Sequence, residues 1–186
     1  TPQTRATVFG FHRSMDTLGA AIGPLLALAF LYFYPGSYRT LFFLAFVPGL
    51  IGIFTTFWIK EKPMEPSLAT KRPGLLSFLK YIPNSKPEYR WLLGGLIAFT
   101  LFNSSDIFLL LMLKHHGLSD TEMIGAYIFY NLIYALCAYP IGILADKIGL
   151  KKMFVAGLFI FALTYLGMAM PHDTWMLYIL FLGYGV

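Results

Sequence analysis

A single carboxylate inside an apolar run is the residue of this sequence best suited to chemistry. Asp106 follows Trp91 by about 22 Å of helix, and crossing a bilayer takes about 30 Å. A carboxylate at that depth is costly unless it is paired, hydrated or protonated. Asn103 and Ser105 lie beside it, and helical spacing would put Asn103 and Asp106 on one face. These residues are a candidate proton or substrate site; the alternative is a carboxylate satisfied structurally by its neighbours or by a cation.

A second polar group follows on the next apolar run. Tyr127, Asn131 and Tyr134 recur at i, i+4 and i+7, which places two phenols and an amide on one stripe of a helix. They are candidate cavity-lining residues for an amphipathic or aromatic solute. Interhelical hydrogen bonding is the alternative.

The stretch from Gly142 to Lys152 is a short basic loop between two apolar runs. Because it is short, the runs on either side are expected to lie antiparallel. Its lysines place it on the cytoplasmic side of a bilayer. Asp146 can cap an exposed helix N-terminus or pair with a cation. A simple hairpin with positive charge on the inner side is the alternative to a functional loop.

Two further patterns lie near the start of the chain. Gly19 and Gly23 have the four-residue spacing that lets membrane helices approach closely, and Pro24 adds a bend. Arg13 and Asp16 can pair at i and i+3, as a structural cap where the first span begins.

Composition identifies the class of protein. Of 186 residues, 58% are hydrophobic and only 12% are charged, where soluble domains carry about 25% charged residues. The net charge of +5 is therefore no evidence for nucleic acid as a partner. His115 and His116 have no acidic ligands at metal-binding spacing, and no nucleophile or phosphate-loop motif occurs. We expect no metal, no cofactor and no enzymatic activity.

The apolar runs predict an all-α integral membrane fold in three parts. Two spans (17–34 and 40–59) lie in residues 1–59, and a central loop (60–90) carries an interfacial helix at about 74–82. Residues 91–186 hold three more spans (91–113, 123–141 and 153–170) and a truncated one (175–186). Alternate loops divide the 14 lysines and arginines as 12 on one side and 2 on the other, so loops 60–90 and 142–152 are predicted to be cytoplasmic.

Three features together resemble the major facilitator superfamily of secondary transporters. The first is the loop signature Gly142-x-Leu-Ala-Asp146-Lys147-x-Gly149-x-Lys151-Lys152. The second is Gly19-x-x-x-Gly23-Pro24, similar to a motif of the fifth helix often associated with proton-driven exporters. It is either ordinary membrane helix packing or a tight, kinked contact that seals one side of the pathway and favours export. The third is the long basic loop, at the place where the family joins its two six-helix bundles. Leu150 departs from the signature, which usually has a basic residue there.

The resemblance implies a fragment covering roughly helices five to ten of twelve, with alternating access as the mechanism. Proton-coupled export of an amphipathic compound is the favoured expectation, with the loop around Asp146 as a conformational latch: a contact that holds one state closed and is released in the other. Uptake of a small metabolite and a non-transporting membrane sensor are the alternatives. The expected partners are the lipid bilayer, a small solute and protons. The expected location is a bacterial-type inner membrane, and the expected full-length state is a monomer.

Overall fold

The computed structural model describes residues 4–60, 76–170 and 173–186. In these ranges the chain is helical, and eight helices follow one another: α1 (Arg5–Phe33), α2 (Tyr38–Thr56), α3 (Ser77–Asn84), α4 (Pro87–Phe102), α5 (Asp106–His115), α6 (Asp120–Ile148), α7 (Leu150–Met168) and α8 (Thr174–Gly185).

Five segments of the described chain are long and apolar enough to cross a membrane: Arg5–Phe33, Tyr38–Thr56, Pro87–His115, Asp120–Ile148 and Leu150–Met168. Each of these segments overlaps one of the five predicted spans, and the third consists of two helices, α4 and α5. Helix α8, with 12 residues, is shorter than the five candidate spans. The predicted interfacial helix at 74–82 is described only from residue 76, and α3 begins at Ser77; residues 61–75 of the predicted central loop lie outside the described residues.

Two helices are longer than predicted. Helix α1 begins at Arg5, so most of the polar lead-in before residue 17 is helical. Helix α6 continues seven residues past Ile141 to Ile148, and α7 begins at Leu150. The predicted loop from Gly142 to Lys152 is therefore wrong as a loop, because alanine, leucine and lysine in it are good helix formers.

The reversal between α6 and α7 is confined to one glycine. Gly149 has φ +106°, a conformation that residues with a side chain rarely adopt, and its N–H donates to the carbonyl of Ala145 at 2.9 Å. The connection between the two helices is thus one residue long, far shorter than the predicted loop, and the antiparallel arrangement of the two runs stays a prediction.

Contacts divide the described residues into two compact units. One contains α1, the beginning of α2 and α5 to α8; the other contains the rest of α2 with α3 and α4. The first has a core between α5, α6 and α8, in which Leu113, Leu177 and Phe181 are each 1% exposed. In the second, α2 and α4 bury no residue. The predicted division at residues 59 and 91 thus differs from these units, since α1 packs on α6.

Candidate functional site

The Asp106 carboxylate is held by two phenols from different helices. Tyr130 of α6 donates its hydroxyl hydrogen to Oδ2 at 2.8 Å, and Tyr184 of α8 donates to Oδ1 at 2.6 Å. Such short O–H···O⁻ distances are typical of charge-assisted hydrogen bonds. Asp106 is half-buried as the first residue of α5, so the carboxylate joins α5, α6 and α8 at one point.

No basic side chain of the described ranges lies within ion-pair distance of Asp106. Its two phenol partners are neutral donors, which stabilise the carboxylate without cancelling its charge. When Asp106 is ionised, the described part of the site offers a negative charge that a proton or another cation would neutralise.

Aromatic rings surround this carboxylate. The rings of Tyr130 and Tyr184 lie 5.3 Å apart, and Tyr127 lies 5.4 Å from Tyr130. Phe181 is 5.9 Å from Tyr130. We call the group that extends through these contacts the aromatic cluster: Tyr127, Tyr130, Phe161, Tyr165, Phe181 and Tyr184.

The structure does not place Asn103 and Asp106 on one helical face. Helix α4 ends at Phe102, Asn103 is its extended C-terminal cap with ψ 128°, and α5 begins at Asp106. This part of the prediction is wrong because an asparagine and two serines in succession compete for the backbone hydrogen bonds of a helix. Ser105 adjoins Asp106 in the chain, outside either helix.

The three residues of the predicted stripe on α6, Tyr127, Asn131 and Tyr134, each have different surroundings in the structure. Asn131 is buried and donates from its amide nitrogen to the carbonyl oxygen of Tyr127 at 2.9 Å, which is a bond within its own helix. Tyr134 accepts a hydrogen bond from Nε of Arg13 at 3.0 Å. Tyr127 contributes its ring to the aromatic cluster. Sequence reasoning missed Tyr130, which lies on the same helix and bonds Asp106.

The Arg13–Asp16 pair forms at 3.2 Å, with both side chains about 60% exposed. Because α1 begins at Arg5, the pair lies inside the helix and does not cap its start. Arg13 instead connects α1 to α6 through Tyr134.

Asp146 caps the N-terminus of α1. Its carboxylate accepts from the backbone N–H of Ala6 at 3.0 Å and of Thr7 at 2.8 Å, and from the Thr7 hydroxyl at 2.7 Å. The first N–H groups of a helix have no partner within it, and the helix dipole favours an anion there. A residue near the end of α6 therefore satisfies the beginning of α1, as the capping prediction anticipated.

Directly behind this cap the two backbones touch. A Cβ added to Gly142 would lie 2.5 Å from the carbonyl oxygen of Ala6 and 3.2 Å from Cα of Thr7. One turn further, a Cβ at Gly10 would clash with the Ala138 carbonyl. The buried hydroxyl of Ser14 then donates to the carbonyl oxygen of Ala135, on the next turn of α6.

This run of close backbone contacts is the α1–α6 contact: Ala6, Gly10 and Ser14 on α1 against Ala135, Ala138 and Gly142 on α6. Small residues four apart allow it. The pattern Ala6-x₃-Gly10-x₃-Ser14 was present in the sequence but was overlooked. Apart from chain neighbours and nearby backbone of its own helix, a Cβ added at Gly19 or Gly23 would meet no atom of the described chain within 4 Å. The packing role of these two glycines therefore stays a prediction, as does the bend assigned to Pro24 inside α1.

The remaining lysines of the signature are exposed. Lys147 lies in the last turn of α6, and Lys151 and Lys152 lie in the first turn of α7. Within the described ranges, no group of three or more histidine, cysteine, aspartate or glutamate side chains could hold a metal ion.

Comparison with known proteins decides the family. The Major Facilitator Superfamily sequence profile matches residues 1–186. The chain belongs to this superfamily. An uncharacterized MFS-type transporter of Methanocaldococcus jannaschii is 30% identical over 191 residues, which cover all of this chain and 46% of that protein. The chain thus spans about half the length of this relative. No solved structure matches the present chain significantly.

Family membership confirms the resemblance and the all-α integral membrane fold. The chain is a multi-pass membrane protein that lies in a lipid bilayer. The family points to transport rather than to enzymatic chemistry.

Proposed function

We propose that the protein moves a small solute across the membrane by alternating access, with Asp106 as the site that binds a proton or the positive charge of the solute. The observation that carries the proposal is the carboxylate of Asp106 held by two phenols, with no described cation beside it. Ionisable residues within membrane segments are rare, and they mark ion and substrate pathways by default.

The hydrogen bonds of Asp106 connect its charge to helix packing. As a carboxylate, Asp106 accepts from Tyr130 and Tyr184 at once. After protonation, one oxygen carries a hydrogen that needs an acceptor of its own, and both oxygens become weaker acceptors because the negative charge is lost, so the two phenols are held less strongly. Loading the site therefore changes how α5 is held to α6 and α8. A cationic group that displaces one phenol from the carboxylate would have the same effect.

We further propose that the solute is amphipathic and is exported in exchange for protons. The aromatic cluster supports this choice, because aromatic faces attract organic cations and contact apolar groups. Tyr127 and Tyr134 are the other proposed cavity-lining residues. Asn131 is less well suited to lining the cavity, because its amide is buried and hydrogen-bonded within α6.

The α1–α6 contact would be the latch. On the division that the resemblance implies, α1 would belong to the first bundle and α6 to the second, so a contact between them would close one side of the pathway in this state. The lysines of the signature favour the cytoplasmic side. In the opposite state, the N-terminus of α1 would have to leave Asp146, which requires the hydrogen bonds of Ala6 and Thr7 to break. We also propose that the full-length protein is a monomer and that it lies in a bacterial-type inner membrane.

A growth assay tests export. The full-length protein would be expressed in a bacterium lacking its own efflux pumps and exposed to a panel of lipophilic cations, dyes and antibiotics. Wild type should confer resistance to at least one cation, and Asp106→Asn should lose it at equal expression. Asp120→Asn is the matched control, because Asp120 is an exposed aspartate at the start of α6 that pairs with Lys114 at 2.9 Å. Equal resistance of wild type and Asp106→Asn would refute the assigned role. No resistance with either would remove export, and labelled metabolite uptake would be measured next.

A further inference from the structure

Tyr184, one of the two phenols of the site, stands between two glycines of α8. A Cβ added to Gly183 would lie 2.8 Å from Oγ1 of Thr164 on α7. A Cβ added to Gly185 would lie 2.6 Å from the carbonyl oxygen of Tyr130 on α6. The residues on either side of Tyr184 thus approach two different helices more closely than a side chain would allow.

The contact of Gly185 is made with the residue that carries the other phenol. The hydroxyl of Tyr130 donates to Oδ2 of Asp106 at 2.8 Å, and that of Tyr184 donates to Oδ1 at 2.6 Å. Gly185 is buried, and Cβ of Ile133 on α6 lies 3.0 Å from the same added Cβ. Because the backbones of α6 and α8 touch here, the separation of these helices sets the 5.3 Å between the two phenol rings.

Gly183 holds the same part of α8 against α7. Thr164 is 5% exposed, and its branched side chain is restricted to few rotamers in a helix, so it has little room to move aside. Beside it on α7, the rings of Tyr165 and Phe161 lie 6.3 Å and 6.4 Å from that of Tyr184. The position of the Tyr184 hydroxyl therefore follows from where α8 packs between α6 and α7.

We propose that Gly183 and Gly185 are positioning residues for the Tyr184 hydroxyl, and that the packing of α8 through them maintains its hydrogen bond to Asp106. An alanine methyl at Gly185 would have to move from 2.6 Å to the 3.4 Å at which ordinary contact begins, a shift of about 0.8 Å, and the atom that it meets is backbone. Hydrogen bonds between oxygens seldom exceed about 3.0 Å. A shift of that size in α8 is enough to break a bond that starts at 2.6 Å.

Infrared spectroscopy of the purified full-length protein tests the proposal, because the stretching bands of a carboxyl group depend on its hydrogen bonds. The bands of Asp106 are isolated by subtracting from each spectrum that of the same variant carrying Asp106→Asn. Tyr184→Phe removes one donor and should shift these bands. Gly185→Ala, which moves α8 away from α6, should shift them in the same direction.

A size exchange separates positioning from general packing. Gly183→Ala should shift the Asp106 bands, and adding Thr164→Ala should restore them, because the nearest atom of residue 164 would then be its Cβ at 4.0 Å. In the Tyr184→Phe background, Gly183→Ala should cause no further shift, since its effect passes through the missing hydroxyl. Gly157→Ala is the control on α7: apart from chain neighbours and nearby backbone of α7, its Cβ would meet no described atom within 4 Å.

Several results would overturn the proposal. Wild-type bands in Tyr184→Phe or in both glycine variants would do so. A shift in Gly183→Ala that Thr164→Ala does not reverse, or that persists in full with Tyr184→Phe, would show that the glycine acts on packing in general, and so would an equal shift in Gly157→Ala. The importance of the bond for transport rests on the function proposed for Asp106. The spectra need no transported solute, so a failed growth assay would remove that function and leave the positioning role intact.

Discussion

Replacing Gly142 by alanine should push α1 and α6 apart. The new Cβ would lie 2.5 Å from the Ala6 carbonyl oxygen, which is about 0.9 Å closer than the 3.4 Å at which ordinary contact begins. Overpacking of this kind costs about 1–3 kcal/mol, and the better helix propensity of alanine returns up to about 1 kcal/mol. The neighbouring atoms belong to backbone, which cannot rotate away, so we expect a net cost near the upper end, about 2 kcal/mol.

If the α1–α6 contact closes one side of the pathway, this cost falls on the closed state alone. A difference of about 2 kcal/mol changes the ratio of closed to open populations roughly 30-fold. The assay is a distance distribution between spin labels at two exposed positions beside the contact, Val8 on α1 and Leu144 on α6, measured in the full-length protein. Gly142→Ala should move population from the short to the long distance.

Gly125→Ala is the control for this experiment. Gly125 lies on the same helix, but apart from chain neighbours and nearby backbone of α6 an added Cβ would meet no atom of the described chain within 4 Å, so the alanine should leave the distribution unchanged. The reasoning would be refuted if Gly142→Ala gave the wild-type distribution, because the two helices would then tolerate the extra methyl without separating.

The cap and the phenols give further predictions. Asp146→Asn removes the charge that faces the N-terminus of α1, and should shift the same label distances in the same direction as Gly142→Ala. Tyr130→Phe and Tyr184→Phe each remove one hydrogen bond to Asp106, worth about 1.5–3 kcal/mol for a charged acceptor, and each should lower the thermal unfolding temperature of the purified protein. Tyr127→Phe, whose hydroxyl is not bonded to Asp106, should lower it much less.

Each of these has an outcome that contradicts it. A wild-type distance distribution in Asp146→Asn would mean that the cap does not hold the two helices together. Equal unfolding temperatures for wild type and both phenol variants would mean that the Asp106 hydrogen bonds contribute nothing. A loss in Tyr127→Phe as large as in Tyr130→Phe would point to general packing of the aromatic cluster instead.

The membrane spans were predictable because hydropathy depends on many residues at once. Twenty apolar residues in a row identify a span whatever their order, so α2 and α7 differ from the prediction by only a few residues. The ends of helices depend on fewer residues. The start of α1 was missed because its first turns carry polar side chains, and its N-terminal N–H groups are satisfied by Asp146, 140 residues further along the chain than Ala6.

The site was predictable only in part, for a similar reason. Asp106 was found because a carboxylate within an apolar run is unusual by itself. Its partners could not be found in this way, because Tyr184 lies 78 residues away and is one of 12 tyrosines. Spacing favoured Tyr127 and Tyr134 over Tyr130, although all three lie on α6. Small residues four apart likewise occur twice on α1, and only tertiary contact distinguishes Gly10 from Gly19.

The most direct test of the transport proposal is proton-driven transport by the purified full-length protein in liposomes. A pH gradient would be imposed, and movement of a cation identified in the growth assay would be followed for wild type, Asp106→Asn and Asp120→Asn. We predict gradient-driven movement in wild type and Asp120→Asn, and none in Asp106→Asn. A second assay would measure the exchange of labelled for unlabelled cation without a pH gradient. If Asp106 binds the proton, this exchange should survive in Asp106→Asn. If Asp106 binds the solute, the exchange should be lost. Gradient-driven transport at the wild-type rate in Asp106→Asn would contradict the account.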